Sequence, residues 1–213
     1  MKTVVGALLN FRGAWAAMEP AMQREPHYKP PVHQVLYIKP ANTWRGAGDP
    51  IVLPPDVEEI EVGPTLGLVM GRTAARVPVE EALDYVAGYV IVNDVTVPHT
   101  SVLRPPLKQK CRDSFCPMST VMPAAEVSDP DSLGIRVYVN GELRLENSTV
   151  NLVRSVSKLI ADVSEFMSLA RDDVLLVGVP ESAPRARAGD RVTVEIDGLG
   201  RLENTLRAEG ATA

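Results

Sequence analysis

At 213 residues with a formal net charge of -5, the chain is long enough for one domain with a sizeable core and too acidic for a general nucleic-acid or polyanion binder, which carries a net basic face. No apolar run approaches the ~20 residues needed to cross a bilayer, and the opening MKTVVGALLNFRG has a short apolar part followed by Arg12 rather than a small-residue cleavage site. The expectation is a soluble, cytoplasmic chain with neither a membrane nor a nucleic-acid partner, folded as one domain over 1–213 with a frayed tail from about residue 207.

In chain order, Thr3 to Asn10 reads as an apolar strand, and Gly13 to Arg24 has helical spacing through Ala14, Ala17, Met18 and Met22. Prolines 26, 30 and 31 make the next stretch a loop. Val35 to Ile38 reads as a strand ending at Lys39-Pro40, and Ile51–Leu53 and Leu66–Met70 as two more. Val79 to Tyr85 reads as one short helix, with Glu80 and Glu81 in its first turn where carboxylates suit the helix dipole.

The stretch from Asp84 to Pro117 carries the most chemistry. Val86, Val90, Ile91 and Val92 form a β-branched run bounded by Gly88 and Asn93-Asp94, a core strand that delivers Asp94 to its mouth. Arg104, Lys108, Lys110, Arg112 and Asp113 follow, between prolines 105, 106 and 117: anion-handling residues on a stiffened loop. Read without any relative, Asp94 is a turn cap, Lys39 a solvated lysine, Arg104 a surface charge and His99 a loop residue. Cys111 and Cys116 are too few for a disulfide framework or a four-ligand zinc site and read as incidental.

Ile135 to Val139, Asn140-Gly141 and Leu143 to Leu145 form a hairpin signal. Leu152 to Met167 has the apolar spacing of an amphipathic helix. Val174 to Val179 and the strands around Gly189-Asp190 and Asp197-Gly198 finish the chain. Many short strands with a few helices to one side imply α+β, mainly β.

Taken together, LLNFRGAW, LYIKPANTWRGAGDPI, LVMGRTAARV, DYVAGYVIVNDV, LRPPLKQKCRDSFCP, LIADVSEFMSLARDDVLLVGVP and AGDRVTVEIDGLGRLEN, in this order, resemble the fumarylacetoacetate hydrolase family. CRDSFCP and the short length are similar to the N-terminal half, or separate first subunit, of its bifunctional decarboxylase/isomerases of 4-hydroxyphenylacetate (homoprotocatechuate) degradation. The resemblance implies a β-roll core with flanking short helices and an assembly that is a homodimer or a hetero-oligomer with a paralogous subunit. It also implies a 2-oxo or 2-hydroxydienoic dicarboxylate substrate and a divalent cation, Mg2+ or Mn2+, bound weakly here or only in a partner subunit. The implied reaction is decarboxylation of 5-oxopent-3-ene-1,2,5-tricarboxylate and isomerisation of the resulting 2-hydroxyhepta-2,4-diene-1,7-dioate. The alternatives are a non-catalytic paralogue that assembles with a metal-competent subunit, or an acylpyruvate-type hydrolase.

By the same resemblance Asp94 matches a metal-ligating aspartate, Lys110 and Asp113 match a catalytic K-x-x-D, and Lys39, Arg104 and Lys110 fall where substrate carboxylates are bound. The family's E-x-E metal pair falls on Gly63 and Thr65, neither of which is a carboxylate. Using Glu59 and Glu61 instead would require a four-residue slip of a strand whose register its buried face fixes. Ala14 and Ala17 stand where hydrolytic members carry His and Glu, and Gly178-Val179-Pro180 replaces G-T-P, which disfavours water-activated C–C hydrolysis.

Overall fold

A computed structural model of the chain describes residues 2–100 and 106–210. In chain order the strands are β1 (Val4–Leu8), β2 (Val35–Ile38), β3 (Trp44–Arg45), β4 (Ile51–Leu53), β5 (Glu59–Glu61), β6 (Pro64–Met70), β7 (Val86–Asn93) and β8 (Cys116–Pro117). They continue with β9 (Met122–Pro123), β10 (Gly134–Val139), β11 (Glu142–Ser148), β12 (Val174–Leu176), β13 (Arg185–Arg187), β14 (Arg191–Ile196) and β15 (Gly200–Ala208). The α-helices are α1 (Arg12–Met22), α2 (Leu107–Lys110) and α3 (Val156–Ser164), and Val79–Tyr85 is a 3-10 helix.

Two sheets carry the fold. One is ordered β2-β1-β12-β6-β7-β9 and the other β11-β10-β14-β15-β4. Side chains of both meet in one core, including Leu66, Leu68 and Ile91 from the first and Ile135, Val194 and Leu202 from the second. The arrangement is the mainly β architecture with short flanking helices that the strand-rich sequence implies. β7 is buried along almost its whole length, which is why it reads as a continuous apolar run rather than an alternating one.

A flat sheet could not make the contacts seen at the ends of β2 and β7. They lie four strand positions apart, roughly 19 Å at ~4.8 Å per strand. Yet the Tyr37 hydroxyl on β2 donates a hydrogen bond to the Asp94 carboxylate just beyond β7. The sheet therefore curls into a roll, and its closure makes the polar cluster described below.

Local sequence signals account for most of the boundaries. Asn140 and Gly141 have φ of 53° and 83°, the paired positive values of a tight hairpin turn, and join β10 to β11. The amphipathic spacing from Leu152 overstates the last helix, which begins at Val156. Ser155 caps it by accepting a 3.2 Å hydrogen bond from the Lys158 amide, and residues 153 and 154 are committed elsewhere, their amides bonding Asn10. At its far end the periodic position Phe166 lies beyond the helix and is 67% exposed. Near the C-terminal end Arg207 and Ala208 pair with β4 in parallel, and the Glu209 amide donates to the Leu53 carbonyl. No helix among the described residues is long and apolar enough to cross a membrane.

Gly6 on β1 faces Tyr37 on β2, and a Cβ at Gly6 would lie 2.2 Å from Tyr37 Cζ. The missing side chain makes the space in which the ring lies. Gly6→Ala is expected to destabilise the fold by about 1–3 kcal/mol in urea unfolding, as overpacking does. A change below roughly 0.5 kcal/mol would show that the ring can sit elsewhere without loss.

Candidate active site

The site begins with a carboxylate carried out of water. Asp94 follows β7 and is 1% exposed. The Asp94 amide donates to the Gly63 carbonyl at 2.7 Å, and the Asn93 side chain accepts from the Gly63 amide at 3.0 Å, so the end of β7 is clamped against the start of β6. An isolated buried carboxylate would neutralise itself by taking up a proton. Here Lys39 Nζ lies 2.7 Å from Oδ1 and Lys110 Nζ 2.6 Å from Oδ2, while Tyr37 donates to Oδ2 as well. Burial alone would raise the Asp94 pKa, but Lys110 and Lys39 together override it and hold the carboxyl at about 2. Burial and then the Asp94 charge push the Tyr37 phenol well above its usual range.

The two lysines differ. Lys39, 1% exposed, donates to the carbonyls of Val95, Lys110 and Phe115 at 2.7–2.8 Å, and its contact with Asp94 Oδ1 lies off the hydrogen-bond direction. Its three protons are thus spent on three separate chain segments, and it braces the cluster from behind. Lys110 arrives on the single turn of α2 and donates to Asp94 Oδ2 and to Thr96 Oγ1 at 2.8 Å, with its ammonium 4.5 Å from the centre of the Tyr37 ring. Burial draws its pKa below the usual lysine range, opposed by Asp94 and assisted by the like charge of Lys39.

Lys110 faces a cleft of 480 Å³ whose lining includes Glu61, Gly63, Asp94, Thr96, His99 and Val179. Lys110, His99, Leu8 and Leu9 also line an adjoining, more apolar chamber of 390 Å³, closed by Met18 and Met22 of α1. Leu9, at the mouth of both, holds φ at 59°, an uncommon conformation for a leucine and one that turns the chain sharply after β1.

Of the residues singled out from sequence, Lys39, Asp94 and Lys110 converge. Asp113 stands apart, accepting from Asn42 Nδ2 at 2.7 Å in an exposed position, and no Lys110–Asp113 ion pair forms. Arg104 lies outside the described residues. Ala14 lines the cleft with only a methyl group, and Ala17 is exposed on α1. Cys116 is buried and its thiol pushed up to about 12, in keeping with an inert role. Sequence reading missed Tyr37 and Thr96, which partner Asp94 and Lys110, and passed over Glu61 as a cleft carboxylate. The Glu61 backbone bridges to that of Thr96, a pairing that no local pattern announces.

The residues present do not fit the divalent cation that the resemblance implies. Thr65 is fully buried and its hydroxyl accepts from the Gly178 amide at 3.3 Å, so it turns away from the cleft. A side chain at Gly63 has no room, since its Cβ would lie 2.4 Å from the Asp94 carbonyl oxygen. Pairing Pro64 with Asn93 and Thr65 with Val92 fixes the register, and Glu59 is held by Arg185 and Arg187, so the slip that would bring Glu59 and Glu61 into place does not occur. Among the described residues no three His, Cys, Asp or Glu side chains group as a metal set. A hard cation needs several carboxylate oxygens, and the one buried carboxylate here is already paired with two ammonium groups.

Removing the Asp94 charge would leave Lys39 and Lys110 buried without their counter-ion. Asp94→Asn is expected to cost about 3–5 kcal/mol in denaturant unfolding at neutral pH. Because the folded pKa is depressed from the ordinary 3.8 to about 2, the part of this stability linked to the Asp94 proton, about 2–3 kcal/mol, is present above 3.8 and disappears as pH falls through about 2. The wild type should therefore lose stability across that window faster than the Asn variant, and parallel acid titrations would contradict the geometry.

The family model described as "Fumarylacetoacetate (FAA) hydrolase C-terminal" matches residues 3–207. The chain is 39% identical over 207 residues to the 4-hydroxyphenylacetate degradation bifunctional isomerase/decarboxylase of Salmonella dublin, an alignment covering 97% of this chain and 47% of that protein. The chain thus spans about half the length of such relatives. Among solved structures, 5-carboxymethyl-2-hydroxymuconate delta-isomerase from Mycobacterium smegmatis superposes with a TM-score of 0.84 at 27% identity, covering 99% of this chain and 80% of that one. Maleylpyruvate hydrolase from Sphingobium sp. SYK-6, solved with manganese(II) and pyruvate, gives a TM-score of 0.80 at 27% identity, with 97% and 70% covered. Matched over nearly its full length in both sequence and fold, the chain belongs to the fumarylacetoacetate hydrolase family.

Proposed function

We propose that the chain is a subunit of a decarboxylase/isomerase that converts 5-oxopent-3-ene-1,2,5-tricarboxylate to 2-hydroxyhepta-2,4-diene-1,7-dioate and then isomerises it, in the cytoplasmic breakdown of 4-hydroxyphenylacetate. The observation that carries this reading is Lys110: a buried ammonium with a lowered pKa, fixed by Asp94 and Thr96 at the floor of a cleft beside an apolar chamber. The 39% identical relative acts in that catabolic route by its name.

The chemistry asks for a cation at one place. As the carbon–carboxylate bond breaks, its electron pair moves through the neighbouring alkene to the 2-oxo oxygen, leaving CO2 and a dienolate. An ammonium held at that oxygen stabilises the negative charge that develops there and can protonate it. The isomerisation returns a proton to carbon as the enol becomes a ketone again, and a lysine with a lowered pKa releases and regains a proton near neutral pH more readily than an ordinary one. Lys39 holds Asp94 and the α2 turn in place, and Asp94 aims Lys110. Any Mg2+ or Mn2+ used by the assembly belongs, on this reading, to a paralogous partner subunit with the carboxylate pair.

A second reading rests on a specific observation too: with Gly63 and Thr65 at the carboxylate positions, the chain could serve its assembly without turning over substrate. Steady-state decarboxylation by the purified chain, alone and mixed with a relative carrying both carboxylates, separates the two. Lys110→Met in this chain alone is expected to lower kcat/KM of the mixture by about 100-fold, the scale of a lost proton-transfer group. Full activity with that variant would leave only the assembly role, and silence in every mixture would remove the pathway assignment.

A further inference from the structure

Charge balance in the cluster points beyond the pathway. Asp94 contributes one negative charge and Lys39 and Lys110 two positive ones, all with side chains at most 8% exposed, so Asp94 does not serve either ammonium alone. Glu61 lines the same cleft, and its charge acts on Lys110 through space without forming an ion pair within 4 Å. Lys110 spends two of its protons on Asp94 and Thr96 among the described residues, which leaves its third for another acceptor. A buried ammonium that faces a cavity with a proton uncommitted among the described residues is a place for an anion.

We infer that the cleft binds a small 2-oxo dicarboxylate without a divalent cation, the Lys110 ammonium taking the ligand's 2-oxo carboxylate and the chamber behind Leu8 and Met22 its carbon chain. This deepens the reading of the cleft as a substrate site but does not depend on which pathway it serves. Three features of the structure support it. The donor set repels rather than recruits a metal, because two ammonium groups crowd the one fully buried carboxylate of the cleft. The Gly63 position, just before β6, is closed by the Asp94 carbonyl, so no carboxylate can enter the cleft from there. Tyr37 packs against the Lys110 ammonium and limits how far it can swing, so the charge stays at the junction of the two cavities.

The test uses the wild-type chain and 2-oxoadipate, a stable 2-oxo dicarboxylate. Calorimetric titration in EDTA should show binding, and replacing EDTA with Mn2+ should change the affinity by less than about twofold, since the metal contributes no differential interaction. Electron paramagnetic resonance of Mn2+ titrated with the chain should keep the signal of the free ion. Lys110→Met should weaken binding by about tenfold or more, the scale of a lost hydrogen bond to a charged group, and Lys110→Arg should retain part of it. Binding that appears only with Mn2+, stoichiometric capture of Mn2+, or no binding at all would each overturn the inference, as would a folded Lys110→Met chain that binds normally. The wild-type arms decide the matter even where Lys110→Met does not fold. Absence of decarboxylation in every mixture with a paralogous subunit, beside metal-free binding, would sink the pathway and spare this inference; turnover that requires Mn2+ on this chain alone would do the reverse.

Discussion

A carboxylate buried beyond the end of β7 and balanced by two lysines is the constraint to which the rest of the site answers. Desolvating Asp94 is costly, and the structure meets that cost with partners drawn from three other segments: Tyr37 and Lys39 at the end of β2, Lys110 on α2, and, through Lys39, the carbonyl of Phe115. Each partner is therefore positional. Tyr37 requires Gly6 to be bare, and Lys39 requires the loop around Phe115 to present its carbonyl inward.

The cluster also explains why the sheet is a roll. Strand order alone leaves β2 and β7 far apart, and only curling brings their ends to one point. Polar and apolar energetics act together here: the core between the sheets favours the curl, and the polar cluster defines where it closes. A buried ionic network with every segment committed is a device for specifying geometry more than for adding stability.

Much of the fold was legible because it is written locally. The β-branched run of β7, the Asn140-Gly141 turn and the prolines of the 26–31 loop each act through backbone preferences or burial within a few residues. The α3 start was not, because Ser155 and the Asn10 bonds to residues 153 and 154 override a periodicity that continues past them. Asp94, Lys39 and Lys110 could be named through resemblance to the family, yet their common meeting point could not, since it depends on sheet closure. Tyr37 and Thr96 look like ordinary strand and loop residues until that closure places them. Asp113 was singled out by its spacing from Lys110 and is drawn instead to Asn42, a contact made across the surface.

The close approach of Gly63 to the Asp94 carbonyl has a bearing on how such a chain can change over time. Placing a carboxylate at that position is not a matter of one codon, because any side chain there first has to move the backbone of the residue it would join. Until that backbone shifts, each single step toward a metal-binding set loses stability before it gains a ligand. The bare position thus works as a ratchet: easily occupied by a small residue, and held shut to larger ones by the packing that the small residue allows.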